Sequence, residues 1–413
     1  DFGEDWGVVV MIISDFCKTS AGGTPLKSNN AFYEGGTIPW LLSGEVGNRD
    51  IQKTKKYITQ AGLDGSSAKI FPVNTVLIAM YGATAGEVGI LRCEASTNQA
   101  VCGIYPNELV LPEYIYYFFL DFKDSLVAQA VGNAQPNISQ KKIKDTEIKV
   151  PSIQEQKRIV AILDNAFAEI EQARANTEQN LKNARELFES YLQQVFSQRG
   201  EGWVESKMSD ICEGKITDGT HQTPKYFDSG HIFLSSRNVT TGLIDWDNVK
   251  YLDEAQHLQM QKRLSPQIND ILLAKNGTTG VAAIVDRDVS FDIYVSLALL
   301  RPSKNILPRY LLHFVNSPVA KYQFNKRLKG VGVPNLHLKE IKDVTVSLPV
   351  SIDQQDKIVR RLDALLEERR KLEDIYSQKL KAIDNLKKSI LQKAFSGELT
   401  KTLEVDTNKG AVA

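Results

Sequence analysis

Two stretches of the chain carry apolar residues at steps of three and four. In the first, Ile159, Leu163, Ala166, Ile170, Ala173 and Thr177 lead, after a four-residue step, to Leu181, Ala184, Phe188, Tyr191 and Val195. In the second, the same rhythm runs through Ile358, Leu362, Leu365, Leu372, Tyr376, Leu380, Ile383, Ile390 and Ala394. A seam of this kind predicts two long coiled-coil helices, each with one stutter at the same place. Pro151-Ser152 with Glu155, and Ser351 with Gln354, have the spacing of capping boxes, and Gly200 and Gly397 are the expected stops. The positions expected in the seam are Ile159, Leu163, Ile170, Tyr191, Ile358, Leu362, Leu372, Ile383 and Ile390. Elsewhere short apolar runs alternate with Gly, Asn, Asp and Pro turns. Strands are expected at Val76–Met80, Val88–Arg92 and Ala100–Ile104, and again at Ile271–Lys275, Val281–Val285 and Ser296–Arg301. Helical stretches are expected near Pro112–Val131 and Pro308–Lys329. The pattern predicts an α+β fold with a curved sheet in each globular part.

These elements come in pairs because the chain is duplicated. Ser152-Ile-Gln-Glu-Gln-Lys-Arg-Ile-Val-Ala-Ile-Leu-Asp164 returns as Ser351-Ile-Asp-Gln-Gln-Asp-Lys-Ile-Val-Arg-Arg-Leu-Asp363. The offset of 199 holds to Phe196-Ser197 and Phe395-Ser396, with 17 identities over 46 positions. Upstream, short anchors match: Ser14-Asp15 with Ser209-Asp210, Gly82 with Gly277, Leu111-Pro112 with Leu307-Pro308, and Pro136-Asn137 with Pro334-Asn335. A repeat of this length is a whole domain-plus-helix unit, not a solenoid turn. The helices match throughout, whereas the globular parts match only at anchors. That suggests one frame carrying two different readers, although a duplication without division of labour gives the same pattern. The expected boundaries are 1–150 and 201–350 for the globular domains, 151–200 and 351–398 for the helices, and 399–413 for a disordered tail. The helices can pair with each other, antiparallel, as a spacer about 65–70 Å long, or each can take a separate partner.

Composition narrows the function. The 413 residues carry 50 basic and 50 acidic side chains, which argues against non-specific coating of nucleic acid. Residues 1–150 hold 13 basic and 16 acidic side chains, residues 201–350 hold 18 and 16, so the two readers differ electrostatically. The cysteines Cys17, Cys93, Cys102 and Cys212 lack CxxC spacing; Cys17 and Cys212 are repeat mates, expected at one buried position in a reducing cytoplasm. No apolar run has the length of a membrane span. The chain begins without Met, which points to a trimmed start.

Three polar, Gly-rich loops are matched by the repeat. From them Trp40, Ser43, Tyr81, Thr84, Gln135 and Asn137 in the first copy are candidate DNA contacts. So are Ser235, Arg237, Asn238, Lys275, Asn276, Thr278, Lys326, Arg327, Lys329 and Asn335 in the second. Arg, Asn, Gln, Ser and Thr read base edges, and Lys275, Lys326, Arg327 and Lys329 suit phosphates. Any one of these could equally be an ordinary solvated loop residue. Shared catalysis is harder to find. All five histidines, His221, His231, His257, His313 and His337, lie in the second copy without zinc spacing, so no catalytic or metal residues are assigned. Gly214-Lys215 precedes Ile216, which is not a phosphate loop, and Glu155-Gln-Lys157 at a helix start reads as a solvated turn.

Two variable globules, each followed by a helix opening Pro-(x)-Ser-Ile-x-x-Gln-x-x-Ile-Val-x-x-Leu-Asp, resemble the specificity subunit of type I restriction-modification enzymes. The resemblance implies two α/β target-recognition domains separated by two long helices packed as an antiparallel coiled coil, a pseudo-two-fold internal repeat. It implies that each globule reads one half of a bipartite, asymmetric site in double-stranded DNA. The coil would set the gap and dock two methyltransferase (modification) subunits. S-adenosylmethionine, ATP and Mg would belong to those and to restriction subunits, with no cofactor on this chain and no catalysis by it. The second reading is a non-catalytic protein-interaction scaffold, and a third, a stand-alone hydrolase, lacks paired catalytic residues.

Overall fold

The computed structural model describes residues 9–130, 137–326 and 335–400. Its contacts divide the chain into two compact units, Asp1–Asn176 with Lys379–Ala413, and Thr177–Gln378. The division passes through both long helices, Ile153–Phe196 and Ile352–Ser396, near the stutter. Each unit therefore owns a globule, part of its own helix and part of the other copy's helix.

In the first unit, a five-stranded sheet has the order Thr19–Ala21, Val101–Ile104, Val76–Ala79, Val88–Leu91, Asp50–Ile51. The Val76, Val88 and Val101 strands are buried at every residue, so they read as continuous apolar runs. A second sheet runs Lys56–Ile58, Ile38–Leu41, Ala95–Thr97, Ile70–Phe71, with its two central strands parallel. Close packing between the sheets needs Gly103, where a Cβ would stand 2.4 Å from the Phe71 ring. A two-stranded ribbon, Val9–Ile12 with Glu147–Val150, joins the ends of the globule. Helix Pro112–Ala128 closes the core, burying Tyr114, Ile115, Tyr117, Phe118, Phe119 and Leu126.

The second unit repeats most of this order. Its sheets are Thr217–Asp218, Leu297–Leu300, Ile271–Ala274, Ala282–Ile284, and Lys250–Leu252, His231–Leu234, Phe291–Ile293. The parallel pair recurs between His231–Leu234 and Phe291–Ile293, and the ribbon recurs as Trp203–Lys207 with Thr345–Pro349. Among the described residues its two sheets hold no strands equivalent to Asp50–Ile51 and Ile70–Phe71. The turns before the central strands carry the same left-handed residue, Asn74 at φ 69° and Asn269 at φ 72°. The single closing helix expected near Pro308–Lys329 is two helices, Pro308–Val315 and Pro318–Asn325. Pro318 has no N–H to continue the first, and Ser317 caps the second by accepting from Ala320 N at 3.2 Å.

The long helices begin under hydroxyl caps. Ser152 Oγ accepts from Glu155 N at 3.3 Å, and Ser351 Oγ from Gln354 N at 3.4 Å. Gly397, at φ 89°, follows the second helix directly, while the first ends four residues before Gly200, its last carbonyl met by Arg199. In the first unit, Ile159, Leu163 and Ile170 are buried, Ile383 is buried, and Ile390 packs on the core beside Leu391 and Ala394. In the second, Leu362 is fully buried and Tyr191 and Ile358 pack on the core. The helices run antiparallel within each unit. Glu171 pairs with Lys387 and Arg174 with Asp384 in the first, and Arg185 with Glu373 at 2.8 Å in the second. One expected seam residue is wrong: Leu372 is 39% exposed. Its neighbour Glu373 takes the inter-helix contact to Arg185 instead, so the stutter turns the seam by about one residue. The expected disordered tail starts too early, because Leu399 packs on the first core and Thr400 is buried. Residues 401–413 lie outside the described residues.

Candidate nucleic-acid interface

Each globule is fastened to its helix by the same device. Gln156 is fully buried, donates to Leu109 O and Pro151 O at 2.9 and 2.8 Å, and accepts from Leu111 N at 2.9 Å. Gln355 repeats all three bonds, to Asn305 O, Pro349 O and Leu307 N, at 3.0, 2.9 and 2.9 Å. The expectation of a solvated turn at Glu155-Gln-Lys157 is thus corrected at its middle residue. The glutamine amide satisfies the backbone where the loop enters Pro112 or Pro308, whose ring supplies no N–H. Tyr114 and Tyr310 add matched bonds to Lys149 O (2.8 Å) and Ser347 O (2.9 Å).

The repeated Phe-Ser at each helix end is explained by the same packing. Phe395 lies edge-on to Tyr114 and Phe118, at 5.3 and 5.6 Å. Phe196 lies edge-on to Tyr310 and Phe314, at 5.3 and 5.4 Å. Each globule is thereby keyed to the end of the other copy's helix. The motif aspartates are also held, but by different donors. Asp164 takes Arg49 (2.8 Å) and Tyr117 (2.6 Å), whereas Asp363 takes Arg309 (2.8 Å) and His313 (2.7 Å). Burial works against the Asp363 charge, but the bonds from His313 and Arg309 prevail and bring its pKa down to about 2.

Away from the helices, two of the three candidate loops meet in both copies. Tyr81 bridges Asn137 and Asn276 bridges Asn335, each pair antiparallel, at equivalent positions. Ile138 N donates to Met80 O at 2.8 Å, and Leu336 N to Lys275 O at 3.0 Å. Gly82 and Gly277 turn these loops with φ of 73° and 78°, which explains why glycine recurs at that position of Met80-Tyr-Gly-Ala-Thr84 and Lys275-Asn-Gly-Thr-Thr279. In the second unit the third loop joins them, because Ser236 N donates to Ser296 Oγ and Lys275 N to Ser296 O. Exposed on this framework are Tyr81, Asn137, Arg237, Thr278 and Lys326, with Ser43, Thr84, Ser235, Asn276 and Asn335 half-buried. The side-chain oxygens Asn276 Oδ1 and Asn335 Oδ1 are buried without a partner among the described residues. Gln135, Arg327 and Lys329 fall outside the described residues.

Three candidates are structural instead. Trp40 is 3% exposed and donates to Gly23 O at 3.1 Å, filling the core between Tyr33 and Ile58. Asn238 is buried, with Oδ1 accepting from Ser235 N and Nδ2 donating to Asp245 O and Asn248 O. Lys275 is buried against Asp218, which also takes His221 at 3.1 Å and Arg263 at 3.3 Å. Burial opposes the Asp218 charge, but the Lys275 and His221 bonds outweigh it and hold its pKa below the usual value. Their repeat mates by strand register are Ala21 and Met80, an apolar pair. Burial lifts Cys17 and Cys212 to about 12, in keeping with unreactive core thiols.

The histidines form local networks. His257 Nδ1 meets Asp292 at 2.8 Å, its Nε2 meets Ser290 Oγ at 3.2 Å, and His231 stacks on its ring at 3.8 Å. Gln261 also donates to Asp292, so the network ties helix Glu254–Gln261 to strand Phe291–Ile293. No group of three metal-ligating side chains occurs among the described residues.

The model of the type I restriction modification DNA specificity domain matches twice, at residues 4–179 and 200–382. The chain belongs to that family. It is 27% identical over 332 residues to the EcoBI type I restriction enzyme specificity subunit of Escherichia coli, covering 74% of this chain and 70% of that one. Against the MjaVIII specificity subunit of Methanocaldococcus jannaschii it is 25% identical over 409 residues, 93% of this chain and 92% of the relative. Among solved structures, a chain from work on complex assembly and conformational transition of the type I R-M system superposes with a TM-score of 0.78. That match has 18% identity and covers 96% of this chain and 100% of the other. The HsdS subunit from Thermoanaerobacter tengcongensis gives a TM-score of 0.57 at 16% identity, covering 95% and 97%. The two matches of the family model fall on the two copies, so this is a DNA-specificity chain with two recognition domains.

Proposed function

We propose that each globule reads one half of a bipartite, asymmetric DNA site for a type I restriction-modification complex. The observation that carries this is the paired loop bridge. Tyr81–Asn137 and Asn276–Asn335 occupy equivalent places on one scaffold, yet present different side chains. The same backbone offering different donors and acceptors reads different bases. Two such readers give two half-sites without palindromic symmetry, spaced by about one DNA turn, roughly 34–36 Å.

The paired long helices act as the spacer and as the docking surface for two modification subunits, which bind S-adenosylmethionine. ATP and Mg serve restriction subunits in the cytoplasm, and this chain itself is non-catalytic. Leu187, Ile375 and Leu386 are 72%, 56% and 49% exposed on these helices, which suits burial by such partners. The experiment is a methylome of a host carrying this chain with its modification subunit. Methylation at a two-part site with a fixed gap is expected; methylation without a second half would contradict the reading. Lengthening both helices by the same number of residues near Thr177 and Tyr376 should change the gap and keep both halves.

A further inference from the structure

The two edge strands of the smaller sheets share a pair of residues that the loops do not. Lys56-Tyr57-Ile58 and Lys250-Tyr251-Leu252 lie on the same edge in the two units. Their register is also the same: Lys56 stands opposite Trp40, and Lys250 opposite Phe233. The globules agree at few positions, so an exposed lysine retained at one register position calls for a cause.

Edge protection is one cause, since lysine discourages strand addition. It suits the second unit poorly. There Phe227 already bridges Tyr251 and donates its N–H to Tyr251 O at 3.0 Å, so part of the edge is covered and the lysine is still present. Ion pairing is another. Lys56 and Lys250 have no carboxylate within salt-bridge range among the described residues, and both are exposed, so ion pairing does not account for them. Lys250 instead lies 5.8 Å from the ring of Tyr226, which is 43% exposed, and Lys225 lies 5.3 Å from Phe227.

Position along the sheet supplies the remaining cause. The strand opposite each lysine runs directly into a candidate loop: Trp40-Leu41 into Ser43, and Phe233-Leu234 into Ser235-Ser236-Arg237. From there Asn98 N donates to Leu41 O, and Met80 N to Ala100 O. The counterparts are Tyr294 N to Leu234 O, and Lys275 N to Ser296 O. Each lysine thus stands at the end of its sheet that leads through hydrogen-bonded backbone to the bridged loops.

We propose that Lys56 and Lys250 are matched contacts to the phosphate backbone of DNA, one for each half-site. This rests on the reading of the globules as DNA readers and adds how they are seated. An ammonium at a fixed register position holds a phosphodiester oxygen without regard to the base, so it can be kept while the base-reading loops vary.

The test uses the full chain assembled with its modification subunits and a duplex carrying its methylated site. Affinity is measured against salt for wild type, K56Q, K250Q, K56R and K250R. Each Gln variant should bind about threefold to tenfold more weakly, with a log–log salt slope smaller by roughly 0.9, and each Arg variant should recover both. The sequence of both half-sites should stay unchanged. Gln variants that match wild type in affinity and slope would overturn the proposal. A wild-type complex that binds without regard to sequence would instead refute the half-site reading, and the slope difference would still report on the lysines.

Discussion

The two units differ in chemistry even where the register of their strands agrees. At equivalent places of the shared sheet, the first unit has the apolar Ala21 and Met80 and the second has Asp218 bonded to Lys275, His221 and Arg263. At the helix junction the donors to Asp164 and Asp363 differ, but the glutamine anchor does not: Gln156 and Gln355 make the same three bonds. The glutamine anchor is therefore fixed, and the support beneath the candidate loops is free to change. Such freedom is what a module selected for new targets would need, since the loops can be re-braced without loosening the globule from its helix.

The strongest way to break the comparison is at the helix ends. Phe196 is fully buried among Tyr310 and Phe314, and Phe196→Ala should cost about 3–5 kcal/mol. Phe395→Ala should weaken the first globule similarly, although Phe395 is remote from it in sequence. Hydrogen exchange should rise around Tyr310 in the first variant and around Tyr114 in the second. The opposite assignment would mean each globule is keyed to its own helix alone.

Next comes the glutamine. Gln156→Ala and Gln355→Ala each strand one backbone N–H and two carbonyls in the core, for about 2–4 kcal/mol by chemical denaturation. Near-equal losses are expected, because the geometry is equal. A large difference would show that the two junctions only look alike.

A third prediction exploits the divergence itself. Lys275→Met alone leaves Asp218 buried beside weaker partners and should cost about 2–3 kcal/mol. The double variant D218A/K275M installs the pair found in the first unit and should be more stable than Lys275→Met alone. No recovery would mean that the pair does more than brace the loop.

The smallest expected effect concerns pH. Asp363 has its pKa lowered to about 2 by His313 and Arg309 acting against burial. A depressed carboxylate pKa stabilises the fold above the unfolded value of 3.8, and that contribution is lost as pH falls toward 2. The Asp363→Asn variant should therefore show a shallower loss of stability between about pH 4 and 2, read by thermal melting.

Much of this was legible in the sequence because periodicity and repetition report on backbone. The helices, their caps, the central strands and the paired loops follow from apolar spacing and from Gly82 and Gly277. Trp40, Asn238 and Lys275 were misplaced because residue type tells what a side chain can bond, not whether it faces inward. Gln156 and Gln355 were hidden for the converse reason: a polar residue in a helix opening with charged neighbours looks solvated. The repeat mates of Lys275 and Asp218 are Met80 and Ala21, a mismatch that could have pointed to a buried pair. Lys56 and Lys250 were findable as a repeated Lys-Tyr, but only strand register shows that they occupy one position. The break at Pro318 was written in the chain, and Leu372 was missed because a stutter moves the seam by an amount that packing alone sets.

One measurement bears most directly on two different readers on one frame. The methylated sites of a host should be mapped with this chain and with a variant altered only in the second unit's loops, R237A/N276A/T278A. One half of the site should relax or change while the other half and the gap stay as they were. Loss of discrimination in both halves together, or in neither, would contradict the division of the chain into two independent readers.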